Sequence, residues 1–433
     1  MIARKATRGL ALVTLVAFLA ACATTSLPPI SASGAAFEPE RDERALWRQS
    51  REEERKLLGE FKVYADPLLE DYLDRVAARL TPAEMAANPE VRYRVTVLEN
   101  PTLNAFAYPH GSLYVHTGML SRTENEDQLA TVLGHEMTHV ENRHMLRYRR
   151  AARNRQYGFL AAAVVGAVIL AGEQGEAWEE GDYSRAAQIG VLSDLLLGLG
   201  LKLAFIAAVN GYGRDLEREA DEGGFEKLRA AGYDVDEAPR IYEILSEDHG
   251  EQSKLEGFFF GSHPRLSERI ESAKSWIASE AAASTASEPH DRSEFIRRLR
   301  PVIRDDARMN LELGRLGLAE AQLDRALEMM PEDSETHFLI GRLRAQRAAT
   351  APSSHDGDAF ESDALAAFQR AIELDADHAL AHRELGLIAY RQQDFATACR
   401  QFRRYTELEP KADDAQRMRD YVRELERDGH CPD

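Results

Sequence analysis

The sequence predicts a mainly α (α+β) chain: a helical domain holding a small β-sheet, followed by a helical solenoid. Three observations carry that expectation. Leu129, Val132, Leu133, Met137 and Val140 recur at three- and four-residue steps, the period of a buried helix. Residues 91–98 alternate apolar and polar side chains, and residues 112–116 form a second short run of that kind, so both read as strands. Beyond residue 293, small and bulky residues return at a 34-residue spacing, the period of stacked helix pairs.

At the N-terminus, Arg4, Lys5 and Arg8 precede an apolar run over residues 10–21, the charged and apolar parts of an export signal. The run closes on Leu19-Ala20-Ala21-Cys22, which resembles a bacterial lipobox. On that reading residues 1–21 are removed and Cys22 is lipidated; an ordinary signal peptide with a chance cysteine is the alternative. Ala23, rather than Asp, follows the cysteine, which by the usual bacterial sorting rule points to the outer membrane. A cysteine bearing more than one acyl chain anchors stably. Residues 22–37, rich in Thr, Ser, Pro, Gly and Ala, then read as a flexible tether.

The next module, residues 38–277, contains both strands, the second preceded by a turn at Tyr108-Pro109-His110-Gly111. A free edge on residues 112–116 would take an extended peptide by strand addition, a mode that reads backbone more than sequence. After it comes His135-Glu136-Met137-Thr138-His139 within the buried helical run. One turn of helix separates His135 from His139, so both imidazoles share a face and can share a metal. Glu136 sits about 100° round from His135, able to reach a water beside such a metal without ligating it. Neutral imidazole suits zinc, and an adjacent carboxylate is the general base a zinc hydrolase needs.

A third ligand is required. The metzincin spacing fails, because Asn142 and Met145 occupy its glycine and histidine positions. His144 lies about 180° round the helix from His135, facing away from any shared metal, and reads as a helix-surface or core histidine. Downstream, Glu217 and Asp221 are four residues apart on a presumed helix, with small Ala220 between them. Glu217 can complete a His-His-Glu set that leaves a fourth position open, and Asp221 can accept the second N–H of a ligating histidine. Asp215 and Glu219 read as solvated charges on the same helix.

Together these residues resemble the gluzincin metallopeptidases of the HtpX, Oma and CAAX-prenyl-protease kind, most closely the periplasmic BepA type. The matching segments are His135–His139 in its helix, Glu217-x-x-Ala220-Asp221, Asn104-Ala105-Phe106-Ala107 leading into residues 111–120, and Ser262-His263-Pro264 followed by Arg265, Arg269 and Ile270. They cover roughly residues 60–275. His110 stands where such proteins more often carry glycine, which puts the shape of that turn in question. The resemblance implies a zinc endopeptidase with one zinc per chain, held by His135, His139 and Glu217, with Glu136 as catalytic base. It places His263 near the cleft, where it would assist the oxyanion or plug the open zinc position; a turn histidine starting the next helix is the plainer alternative.

Two apolar stretches, residues 159–172 and 189–210, lie between the ligand segments. The first is too short to span a bilayer and the second is interrupted by Asp194 and Lys202, so both are expected to pack as helices around the site. The acidic loop 173–184 between them reads as a lid margin. Helix is expected from residue 215 to about 277, and the Ala/Ser/Thr-rich residues 278–293 read as a linker.

Residues 294–412 resemble tetratricopeptide repeats. Gly314, Ala319, Leu323, Ala326 and Pro331 correspond to Ala398, Phe402, Tyr405 and Pro410 in the last copy, which Leu385-Gly386 opens. A middle copy (Ala364, Phe368, Ala371, Ala376) is displaced by a polar insert at residues 350–361. Residues 413–433 supply the polar capping helix and tail such an array requires. Of three cysteines, Cys22 is assigned to lipid; Cys399 and Cys431 are candidate disulfide partners in an oxidising compartment, or two unbridged thiols.

Composition narrows the partners. In 433 residues, 54 Lys and Arg face 73 Asp and Glu, a net charge of −19 that excludes a phosphate-neutralising nucleic-acid binder. The expected function is proteolysis of unfolded or misassembled cell-envelope proteins at the periplasmic side of the outer membrane, or soluble in the periplasm. The repeats would dock clients or the outer-membrane assembly machinery. The competing expectation is a repeat-based chaperone or assembly factor in which proteolysis is latent.

Overall fold

The computed structural model describes residues 25–154, 213–248, 266–280, 292–350 and 355–431. The expected export signal, Cys22, residues 159–172 and 189–210, the loop between them, His263 and most of the 278–293 stretch lie outside those residues. Two compact units are present, Met1–Arg292 and Ser293–Asp433.

In the first unit, α1 (Arg41–Glu60) is followed by α2 (Pro67–Leu80). Pro67 starts α2 where a missing N–H costs nothing, and the Asp66 carboxylate accepts from the N–H groups of Leu68 and Leu69 at 3.0 and 3.1 Å. Leu69, Tyr72, Leu73, Val76 and Leu80 make its buried stripe against the sheet and the metal-motif helix. The sheet has the order β1 (Arg94–Leu98), β3 (Ser112–His116), β2 (Ala105–Ala107), with β1 parallel and β2 antiparallel to β3.

The expected free edge on residues 112–116 is therefore corrected: this is the central strand, paired on both sides. Alternation reveals a strand but not its place in the sheet, and the three-residue β2, which flanks β3 on the side opposite β1, is too short to show a period. The turn before β3 depends on Gly111, at φ 103°, where an added Cβ would meet the Arg92 carbonyl oxygen at 2.5 Å. That glycine role falls on Gly111, so His110 is accommodated. Its Nε2 lies 3.0 Å from Glu54 Oε2, while the Tyr114 hydroxyl donates to Glu54 Oε1 at 2.9 Å, pinning α1 to the hairpin.

Burial raises the Glu54 carboxyl, but the bonds from His110, Ser112 and Tyr114 outweigh it and hold the pKa at about 2, against 4.5 for an ordinary glutamate. Because the folded value is depressed, this stabilisation is complete above about pH 4.5 and is lost as pH falls towards 2. Thermal unfolding of wild type and Glu54→Gln should differ most at neutral pH and converge in that acid window. A constant difference across the window would remove the ionised carboxylate from the account.

The metal-motif helix is α3 (Glu126–Glu141), followed by α4 (Arg214–Ala230), α5 (Glu237–Asp248) and α6 (Leu266–Glu280). The helix expected from 215 to 277 is thus interrupted by the turn at residues 231–236, where Gly232 adopts φ 81°.

The second unit pairs helices: α9 (Ser334–Thr350) with α10 (His355–Leu374), α11 (Ala379–Arg391) with α12 (Phe395–Leu408), and α13 (Ala415–Arg427) closing the array on α12, while α7 (Arg292–Glu312) is tied to α8 (Leu316–Met329) by the Asn310 side-chain N–H donating to Gln322 Oε1 at 3.0 Å. The repeat positions Ala319, Leu323, Ala326, Ala364, Phe368, Ala371, Ala398, Phe402 and Tyr405 are all buried. Part of the polar insert, residues 355–361, extends α10. The sulfurs of Cys399 and Cys431 are bonded, tying the tail to α12.

Candidate metal centre

Nearly every side chain of α3 is buried, Asp127 excepted, so its helical period is visible but its polar face is not. Asn125 starts it by accepting the Gln128 N–H at 2.8 Å. Glu126, also buried, accepts from the hydroxyls of Tyr72 and Tyr233 at 2.6 and 2.9 Å, which fixes the helix against α2 and the loop after α4.

Small residues bring α4 close. Gly134 on α3 meets Gly224 on α4, where an added Cβ would stand 3.2 Å from the His135 backbone nitrogen. Ala220 is fully buried in the same contact. At this separation Glu217 reaches across to the histidines. His135 Nε2 and His139 Nε2 are 3.0 Å apart, and the Glu217 carboxylate oxygens lie 3.5 Å from the first and 3.6 Å from the second. All three residues are buried. Ligand atoms placed tetrahedrally about 2.0–2.2 Å from zinc lie roughly 3.3–3.6 Å from one another. The donor set fits zinc; the Glu217 distances fall in that span, and the two imidazole nitrogens, at 3.0 Å, stand slightly closer than it.

The electrostatics agree. Burial and the Arg269 guanidinium push the His135 imidazole towards neutrality, yet Asp221 and Glu217 outweigh them and raise it to about 9. The site thus draws positive charge. Glu136 is buried beside these groups on α3, at 3% exposure.

Asp221 lies directly behind His135. The His135 Nδ1–H donates to its Oδ1 at 2.8 Å. Arg269 on α6 adds bonds to both oxygens at 2.6 and 3.0 Å, and the Tyr242 hydroxyl on α5 donates at 2.9 Å. Arg269 also lies over the Tyr242 ring, 4.2 Å from its centroid. Burial raises the Asp221 carboxyl, but Arg269 and His135 hold it below its ordinary value. Arg269 was visible in sequence only as part of a matching segment, and nothing local gave it this role.

Two expectations need correction. His144 does not face away from the site: it is fully buried and its Nδ1 lies 2.8 Å from His139 Nδ1. Angular extrapolation failed because α3 ends at Glu141 and Arg143 takes φ 57°, turning the chain before helix resumes at 144. Asn142, a residue favoured at helix ends, was the available signal. Nor is Glu219 simply solvated; Arg147 Nη1 donates to its two oxygens at 2.7 and 2.8 Å. Asp215, in contrast, has a 94% exposed side chain near Arg218, as expected.

Residues 67–277 match Peptidase family M48. Over 220 residues the chain is 27% identical to the beta-barrel assembly-enhancing protease of Escherichia coli (strain K12), a match covering 51% of this chain and 41% of that protein. Over 206 residues it is 27% identical to the mitochondrial metalloendopeptidase OMA1 of Schizosaccharomyces pombe (strain 972), covering 48% of this chain and 52% of that one. The chain thus spans about half or less of these relatives' length.

Proposed function

From the match of residues 67–277 to Peptidase family M48, we propose that the chain carries a metallopeptidase domain and is a zinc-dependent endopeptidase acting on unfolded or misassembled cell-envelope proteins. The convergence of His135, His139 and the Glu217 carboxylate to within 3.0–3.6 Å carries the proposal. Zinc held there supplies Lewis acidity for peptide hydrolysis. His135, His139 and Glu217 hold the ion; Asp221 keeps His135 turned towards it, with the proton on Nδ1. Glu136 accepts a proton from the attacking water and returns it to the leaving nitrogen. β2, an outer strand in the order β1-β3-β2, packs against α3, and addition of an extended substrate to it through backbone bonds is the proposed mode of recognition.

The paired helices of the second unit offer surfaces for docking clients or an outer-membrane assembly machine, in keeping with the name of the relative from E. coli. Among the described residues no helix is long and apolar enough to cross a membrane. Lipidation of Cys22 is the proposed route to the periplasmic face of the outer membrane. Cys22→Ser should move the protein from the membrane to the soluble periplasmic fraction with its zinc retained. A variant still resisting carbonate and salt extraction would point to residues 159–172 or 189–210 instead.

The activity itself is tested by casein cleavage with the full chain, before and after chelation and after adding zinc back. Cleavage lost and then restored is expected. Cleavage indifferent to chelation would contradict the zinc mechanism, and no cleavage by the zinc-loaded chain would leave the repeat-based chaperone reading as the better account.

A further inference from the structure

Resting on the reading of His135, His139 and Glu217 as the zinc set, we propose that His144 is a positioning residue for it: His144 accepts the Nδ1–H of His139 and so presents His139 Nε2 to the metal. The two rings meet edge to face, with centroids 4.9 Å apart and nitrogens 2.8 Å apart. Two imidazole nitrogens at that distance need one proton between them. His139 Nε2 faces His135 and Glu217 and must be unprotonated to ligate, so the shared proton belongs to His139 Nδ1. His144 then carries its own proton on Nε2, which faces Glu219 Oε2 at 3.7 Å. The carboxylate of Glu219 is in turn fixed by Arg147.

The two ligating histidines are thus supported differently. His135 has a carboxylate directly behind it, Asp221, whereas His139 has the Glu219 carboxylate behind an intervening imidazole. The backbone holds this arrangement. Arg143 occupies the left-handed region, uncommon for a long side chain. Its buried guanidinium is clamped by Glu43, through Nε at 2.9 Å and Nη2 at 2.5 Å, and by Glu40 at 3.2 Å. It also lies 5.4 Å from the Phe37 ring centroid. Those contacts from α1 and the segment before it stabilise the turn that carries His144 back onto His139.

The test compares zinc affinity, by chelator competition, in the full chain and in His144→Leu and His144→Asn, with unfolding of the metal-free forms as the control for packing. Leucine removes the acceptor; asparagine can place Oδ1 near the former Nδ1. His144→Leu should bind zinc about 10- to 100-fold more weakly, and His144→Asn should recover most of that loss. Unchanged affinity in the leucine variant, or equal losses in both variants, would overturn the proposal. If the leucine variant fails to fold, ¹⁵N shifts of the zinc-loaded wild type still decide. His144 protonated on Nε2 agrees with the proposal, and His144 protonated on Nδ1 contradicts it. Wild type that binds no zinc would instead overturn the zinc reading beneath it.

Discussion

Glu136→Gln is expected to lower kcat by about 10²- to 10⁴-fold, the range that a positioned general base contributes, while zinc binding stays near the wild-type level. The amide is close to the carboxylate in shape but cannot take the proton of the attacking water. The donors of the proposed metal centre come from His135, His139 and Glu217, so none is lost. Steady-state cleavage and bound zinc should be measured on the same preparation. Full turnover in a zinc-loaded variant would remove Glu136 from the chemistry.

The second large effect falls on stability as well as on the site. Asp221→Asn should destabilise the first unit by about 3–5 kcal/mol, the cost of leaving a buried charge without its partner. Arg269 is itself buried, and in the wild type its guanidinium bonds to both Asp221 oxygens. The same substitution weakens the anchor on His135 Nδ1, so zinc affinity should fall about 10- to 100-fold. Denaturant unfolding and chelator competition measure the two consequences separately. A variant as stable as wild type would mean that Arg269 does not depend on this carboxylate.

The legible parts of the site were those written in a single period. His135, Glu136 and His139 share one helical run, and Glu217 and Asp221 share another, so spacing alone put His135 with His139 on one face, Glu136 about 100° round from them, and Glu217 with Asp221 on one face of the other. That the two helices meet was not in either period. It came from the resemblance, and the structure supplies its physical basis in Gly134 against Gly224. His144 was misplaced because a rule for angles within a helix was carried past the helix end at Glu141. Glu219 was misread for a related reason, since its partner Arg147 lies 72 residues away in sequence. Arg269 is 48 residues from Asp221, and no local pattern encodes a contact of that range. The repeats were easier to read because each helix packs mainly on its neighbours in sequence, and small or aromatic positions recur with the period of the array.

Zinc content per full-length chain, measured by atomic emission on wild type and Glu217→Gln, tests the central claim most directly. One zinc per wild-type chain, falling to a small fraction in the variant, is predicted. A wild-type chain loaded under excess zinc that still holds none, or a Glu217→Gln variant that keeps it at wild-type affinity, would contradict the assignment of His135, His139 and Glu217 as a zinc centre.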